Sequence, residues 1–232
     1  MSPANAPFPP KPIKIWLTPP GPNPWMVVVI CEKLGLNYEF EVFEFKDIKS
    51  MPFIGINPNG RVPAIEDPNT GVTLWESGAI IQYLVEQYDI QKKLMYDTLV
   101  ERHQLNQWLQ FQMSGQGPYF GQLAWFKVLH HEKLPSAIER YHAEMKRILG
   151  VLDKCLAGRE WLVGDNTMFD GFPNFKSWHK RMTLRESWSR SMAIRSSLMA
   201  QQGLENGTGR LARFKTHKEY EDAIKRGEDV TA

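Results

Sequence analysis

Residues 56–88 read INPNGRVPAIEDPNTGVTLWESGAIIQYLVEQY, and two strands and a helix can be picked out of them. Ala64 to Glu66 and Val72 to Trp75 are short strand-like runs. They are joined by Pro68, Asn69, Thr70 and Gly71, the residue types that a hairpin connection prefers. Ser77 then suits the cap of a helix running from Gly78 to Tyr88. Because Ser77 follows the second strand directly, the free N–H groups of that helix are expected to open at the sheet edge as a ready anion site.

Upstream, Ile13 begins the apolar run IKIWL, which a Pro- and Gly-rich stretch, TPPGPNPW, cannot continue as a strand. Asn23 before Pro24 has the form of an N-cap with proline at the first helical position. The helix it opens runs through WMVVVICEKLG to Gly35, which suits the residue just past a helix end. Tyr38, Phe40 and Val42 alternate with Asn37, Glu39 and Glu41, the period of a half-buried strand. These three elements predict a βαβ unit with parallel strands and a right-handed crossover. The order βαβ followed by ββα is that of the thioredoxin-like fold.

The whole chain has 232 residues, with 28 Lys and Arg against 26 Asp and Glu, a balance without the electrostatic footprint of a nucleic-acid or anionic-membrane binder. Only Cys31 and Cys155 are present, which excludes a disulfide framework and any CxxC redox or zinc motif and fits a reducing, cytoplasmic compartment. No run approaches 18 uninterrupted apolar residues, and the opening MSPANAPFPPKP lacks an apolar core, so neither a membrane span nor a signal peptide is expected. His130, His131 and His142 belong to no HExxH or Cys cluster, and the glycines are dispersed. No metal and no phosphate-cradling loop are expected.

Three segments in this order, the PN-containing first loop, NPNGRVPAIED and WESGAI, resemble the glutathione-binding domain of glutathione S-transferases. The similarity is to the fungal class related to the yeast nitrogen-regulator prion protein, closely over Ile13 to Tyr88 and loosely over the helical remainder. It implies an α/β plus all-α chain: an extended tail over 1–12, a thioredoxin-like glutathione-binding domain over 13–89, a helical-bundle domain over 90–202 and a polar tail over 203–232. It also implies glutathione as substrate or cofactor, a homodimer, and a small apolar electrophile as partner, as in fungal secondary metabolism. Addition to a polyene followed by bond rotation and elimination would make the same chemistry a glutathione-dependent trans/cis isomerase. A glutathione-binding regulatory protein without catalysis is the reading from another class.

Glutathione carries a γ-glutamyl amine and carboxylate, a thiol and a glycine carboxylate, and each has a counterpart under the resemblance. Ser77 and the helix start would hold the γ-glutamyl carboxylate while Glu76 accepts from the ammonium; otherwise Ser77 is a plain cap and Glu76 a solvated acid. Val62-Pro63 would be the family's cis-proline step, where the Val62 backbone pairs with the cysteinyl backbone like an added strand. Lys49 sits where the family grips the glycine carboxylate, with Lys46 its nearby competitor and Arg61 a surface charge. Asn23 would donate to the sulfur at the start of the first helix and favour the thiolate, the form that acts as nucleophile. The loop has no Tyr, Ser or Cys, and Thr18 is the other donor in it. Cys31, in the middle of the helix, is expected to be a core residue rather than a nucleophile.

From Leu94 the chain turns helical, with Leu105, Trp108 and Leu109 at helical spacing. After Pro135 the residues Ile138, Tyr141, Met145, Ile148, Leu149 and Leu152 form one apolar stripe. Between them, Tyr119, Phe120 and Trp125, with Phe126, either line an apolar substrate pocket facing the sulfur or belong to the core of the bundle. Only seven residues separate Gly164 from Phe172, where the family usually continues through a hydrophobic helix. A deletion near 165–171 and a mis-spliced gene model would look the same. The tail from Gly203 is polar and Gly-interrupted, which suits at most a loosely held helix.

Overall fold

The computed structural model describes residues 11–159, 162, 173–204, 219, 222, 223 and 226. Most of the tail expected over 1–12, the apparent deletion near 165–171 and most of the polar tail over 203–232 lie outside the described residues. The described residues fall into two compact units, one within 1–95 and 186–209 and the other within 96–185 and 210–232.

The first unit is built on a four-stranded mixed sheet in the order β2-β1-β3-β4. β1 (Ile13–Leu17) pairs in parallel with β2 (Tyr38–Val42) and antiparallel with β3 (Ala64–Asp67), which pairs antiparallel with β4 (Val72–Trp75). The parallel pairing matches the expected βαβ unit, whose crossover is α1 (Asn23–Leu34). This helix stops where Gly35 takes φ 70°, a left-handed conformation that glycine adopts without steric cost, with Leu36 N–H closing on Cys31 O at 2.9 Å.

Strand periodicity sorts the side chains of β1 to two faces. Ile13, Ile15 and Leu17 are fully buried and join Ile65 with Val27, Val28 and Cys31 of α1 and with Ile80 and Leu84 of α3 (Ser77–Tyr88). Trp16 goes the other way, packing with Ile48, Phe53 and Ala64, its indole N–H donating to Glu66 Oε1 at 2.8 Å. Each large aliphatic side chain so buried contributes about 1.5–3 kcal/mol of transfer free energy. The segment between β2 and β3 folds into a 3₁₀ turn, Phe45–Lys49, and a single helical turn, α2 (Phe53–Ile56), neither of which the sequence pattern predicts.

Two helix starts differ from the expectation. Asn23 is the first residue of α1 rather than its cap. Pro22 precedes it in helical conformation, and no side chain caps the end. Ser77 likewise is the first residue of α3, and Glu76 before it has φ 71°. At α1 the chain is already helical at Pro22, whereas at α3 it passes from β4 through Glu76 alone before the helix begins.

The last helix of the first unit, α8 (Glu186–Gln201), was expected within the helical domain of 90–202. It packs instead on the α/β core through Met192, Ile194 and Leu198. Arg190 pairs with Glu32 of α1 at 3.5 Å.

In the second unit α4 (Leu99–Phe111), a π turn over Gln112–Gln116, α5 (Gly117–Ala124) and a second π turn over Trp125–Leu129 follow one another without a break. Pro118 has no N–H and needs room at the preceding turn, and the π turn before it supplies that room. α6 (Pro135–Leu156) buries Ile148, Leu152 and Leu156, successive members of one stripe. Its Asp153 accepts from the Asn174 N–H at 2.8 Å and so caps the start of α7 (Pro173–Thr183) from another helix. Among the described residues no helix is long and apolar enough to cross a membrane, and no group of three or more His, Cys, Asp or Glu could hold a metal.

Asp67, at the end of β3, is 2% exposed and ties the hairpin to α3. It accepts from Tyr83 at 2.6 Å, from Tyr88, and from the Asn69 N–H at 2.9 Å. Burial pushes its carboxyl up, but these donors outweigh burial and hold it below the usual value. A depressed folded value means that its stabilisation is complete above the unfolded pKa of about 4 and is lost as pH falls through the lower folded value. Asp67→Asn should therefore cost about 1–3 kcal/mol at neutral pH in chemical denaturation, and its stability should depend less on pH in the acid range than that of the parent.

Cys31 is another buried titratable group of this unit. Burial, with the charge of Glu32 adding, pushes its thiol up to about 12. A maleimide should label the half-buried Cys155 of the folded protein and leave Cys31 intact until denaturant is added, as mass spectrometry of the labelled peptides would read.

Candidate functional site

The antiparallel pairing of Trp16 with Ala64 sets the end of β1 beside the entry to β3. Two loops therefore meet. One is the β1–α1 loop. In it a Cβ placed on Gly21 would stand 3.5 Å from Val62 Cγ2, and at the same distance from Thr18 Oγ1. The other is the loop 57–63, which ends in a cis Val62-Pro63 peptide, as the resemblance implied. A second cis bond, Met51-Pro52, was not anticipated.

Asn57 organises the second loop. Only 1% exposed, it donates from Nδ2 to Arg61 O at 2.6 Å, accepts the Asn59 N–H at Oδ1 at 2.9 Å, and accepts the Gly60 N–H at its carbonyl at 2.9 Å. An asparagine at the head of a tight turn closes it through its side chain. Gly60 has φ 56°, and a Cβ there would lie 2.9 Å from Ile48 O and 2.8 Å from Lys49 Cδ. Both the conformation and the space thus demand glycine. The closeness of the 3₁₀ turn to Gly60 is what brings Lys49 to this loop.

A rim of exposed polar groups results. Lys49 Nζ donates to Asn59 O at 2.9 Å, and Asn59 Nδ2 donates to Glu76 Oε1 at 3.3 Å. Glu76 leads directly into Ser77, which is 2% exposed at the start of α3. The structure therefore strings Lys49, Asn59, Glu76 and Ser77 together from three separate stretches of sequence. Lys46, the competitor, pairs with Glu44 at 2.7 Å. Asn57 and Asn59 were not singled out in the sequence. Their signal was the NPNG spacing itself, since a side-chain-closed turn before a glycine is what such a tetrapeptide favours.

Of the two donors in the first loop, Thr18 is fully buried with no hydrogen-bond partner for its Oγ1, whereas Asn23 is exposed at the head of α1. Its amide and its own backbone N–H are the donors at this helix head, because Pro24 has no N–H and the Trp25 N–H is used on Pro22 O at 3.3 Å, and with the positive end of the helix dipole they suit a negative atom.

In the helical unit the tentative pocket residues take part in aromatic packing. Tyr119 of α5 lies 6.4 Å from the ring of Tyr141 on α6, and Phe126 stacks on Tyr141 at 5.5 Å. Phe120 is half-buried, and Trp125, at the second π turn, is 44% exposed. Tyr119 thus contributes to the α5–α6 packing, while Trp125 leaves much of its ring at the surface.

Comparison with known proteins agrees with this arrangement. The family model for the N-terminal domain of glutathione S-transferase matches residues 11–86. The glutathione S-transferase-like protein gedE of Aspergillus terreus is 44% identical over 209 residues, covering 75% of this chain and 92% of that protein. The glutathione S-transferase-like protein OpS6 of Beauveria bassiana is 46% identical over 162 residues, with 68% and 74% covered. Among solved structures, the glutathione transferase URE2P6 of Phanerochaete chrysosporium, in complex with oxidized glutathione, superposes with a TM-score of 0.77 at 38% identity, covering 82% of this chain and 98% of that one. Ure2p in complex with glutathione gives 0.72 at 30% identity, with 78% and 98% covered. With a thioredoxin-like unit, a helical unit and relatives of this identity over most of its length, the chain belongs to the glutathione S-transferase family.

Proposed function

We propose that the protein binds glutathione along the rim of Lys49, Val62, Pro63, Glu76 and Ser77 and presents its sulfur to Asn23. There the thiolate is favoured for addition to a small apolar electrophile. The observation that carries this reading is the meeting of the β1–α1 loop with Val62, because a cysteinyl backbone paired with Val62 brings its thiol within reach of the loop that ends at Asn23.

The other groups of the tripeptide find partners of the right charge. Lys49 uses one N–H on Asn59 O and has others for a glycine carboxylate. Glu76 accepts once from Asn59 and retains capacity for an ammonium group. Ser77 and the start of α3 offer donors to the γ-glutamyl carboxylate. The complexes of URE2P6 with oxidized glutathione and of Ure2p with glutathione support the choice of ligand. Once the thiol has released its proton to solvent, the sulfur lone pair forms the new carbon–sulfur bond, the displaced π pair of the electrophile takes up a proton from solvent, and Asn23 contributes by stabilising the thiolate beforehand. Tyr119, Phe120 and Trp125 are proposed to meet the apolar electrophile. A homodimer belongs to the same reading, and Phe45 and Met51, 67% and 75% exposed, are apolar side chains suited to a partner's surface.

Calorimetric titration with glutathione should show saturable binding, weakened about tenfold or more in Ser77→Ala, a loss of about 1.4 kcal/mol or more. Asn23→Ala should bind within about threefold of the parent but transfer glutathione to 1-chloro-2,4-dinitrobenzene, with loss of chloride, about 10- to 100-fold more slowly. Absence of binding in the parent protein overturns the proposal, and binding without any turnover points to a regulatory binder. With the physiological electrophile in hand, consumption of one glutathione per product identifies transfer, whereas full recovery of glutathione identifies isomerisation by reversible addition. Light scattering should give the mass of a dimer.

A further inference from the structure

The β1–α1 loop is poor in the groups that usually hold a loop in shape. Of residues 19–24, Pro19, Pro20, Pro22 and Pro24 have no N–H, leaving only Gly21 and Asn23 as backbone donors. Gly21 closes on Thr18 O at 3.2 Å, a single turn bond. The Pro22 carbonyl accepts the Trp25 N–H at 3.3 Å, which leaves the carbonyls of the buried Pro19 and of Pro20 to be met by side chains.

Two side chains do this. The Trp25 indole N–H donates to Pro19 O at 3.0 Å. Arg195, 176 residues further along the chain, donates from Nε to Pro19 O at 3.2 Å and from Nη2 to Pro20 O at 3.4 Å. One guanidinium edge thus spans two consecutive carbonyls. Arg195 is carried there by α8, whose Met192, Ile194 and Leu198 pack on the same core as α1. The planar fork of arginine matches two acceptors at once, which the single ammonium of lysine does not.

We propose that Arg195 is a positioning residue for the sulfur-binding loop: its guanidinium, bridged across Pro19 and Pro20, fixes the path by which the loop passes Val62 and delivers Asn23 and the head of α1 to the thiol. This rests on the glutathione reading above. Arg195 touches neither ligand nor reacting atom in this role. A displacement of about 1 Å at a reacting centre can cost about 100-fold in rate, so a clamp on the loop governs how well the thiolate is stabilised more than how tightly the tripeptide is held at Lys49, Glu76 and Ser77.

The test titrates glutathione into the parent, Arg195→Ala, Arg195→Lys and Asn23→Ala proteins and reads, for each, the dissociation constant and the thiolate absorbance of the bound ligand. Arg195→Ala is expected to bind within about threefold of the parent while its thiolate signal falls at least about threefold, toward that of Asn23→Ala. Arg195→Lys should fall between the two, and added methylguanidinium should restore the signal in Arg195→Ala. Should Arg195→Ala fold poorly, Arg195→Gln, which keeps an apolar stem and a donor, is measured with the same expectation. A parent-like thiolate signal in both variants, or a loss of signal that tracks loss of binding and is not restored by methylguanidinium, overturns the positioning role while leaving the glutathione reading intact. A parent protein that binds no glutathione overturns that reading and the proposal with it.

Discussion

The antiparallel pairing of β1 with β3 is the constraint on which the rest of the candidate site depends. β1 is a central strand, fully buried on the face of Ile13, Ile15 and Leu17 and paired on both edges, so its register has little freedom: a shift of one residue would send those three to the side of Trp16. With that register fixed, Trp16 lies opposite Ala64, and the residues just beyond each must be neighbours. The loop that follows β1 and the loop that precedes β3 are brought together by the sheet. Neither needs to find the other on its own.

Much of this was present in the sequence because it is local. The alternation of Tyr38, Phe40 and Val42, the Pro68 to Gly71 turn, and Gly35 after an apolar helix each state their structure within a few residues, and each appears at the expected place. The cis step at Val62-Pro63 was recoverable only through resemblance of the whole NPNGRVP segment. What escaped is what depends on distant partners. Nothing around Glu186 to Gln201 says that this helix packs on α1 rather than among the helices that precede it, since its apolar residues would serve either role. The single-turn α2 and the 3₁₀ turn before it are too short to carry a periodicity.

The helix heads teach a related lesson. Asn23 and Ser77 have the side chains of caps, yet each lies one position inside its helix. In a cap, the side-chain oxygen is turned back onto the helix amides. No side chain caps the head of α1, and the amide of Asn23 is exposed there. Residue type alone does not separate the two situations, because the preference of asparagine and serine for helix starts covers both.

Cys31 has a consequence for how such a unit would live with its own chemistry. It is the only cysteine in residues 1–95, and its thiol is sealed in the core with ionisation pushed up to about 12. Disulfide exchange begins with attack by a thiolate, so a thiol held in this way neither attacks a disulfide nor is reached by one. A protein working among reduced and oxidised tripeptide thiols would thus keep its ligand-handling unit free of mixed disulfides. Its state would be set by which small thiol arrives and not by the redox history of its own sulfur.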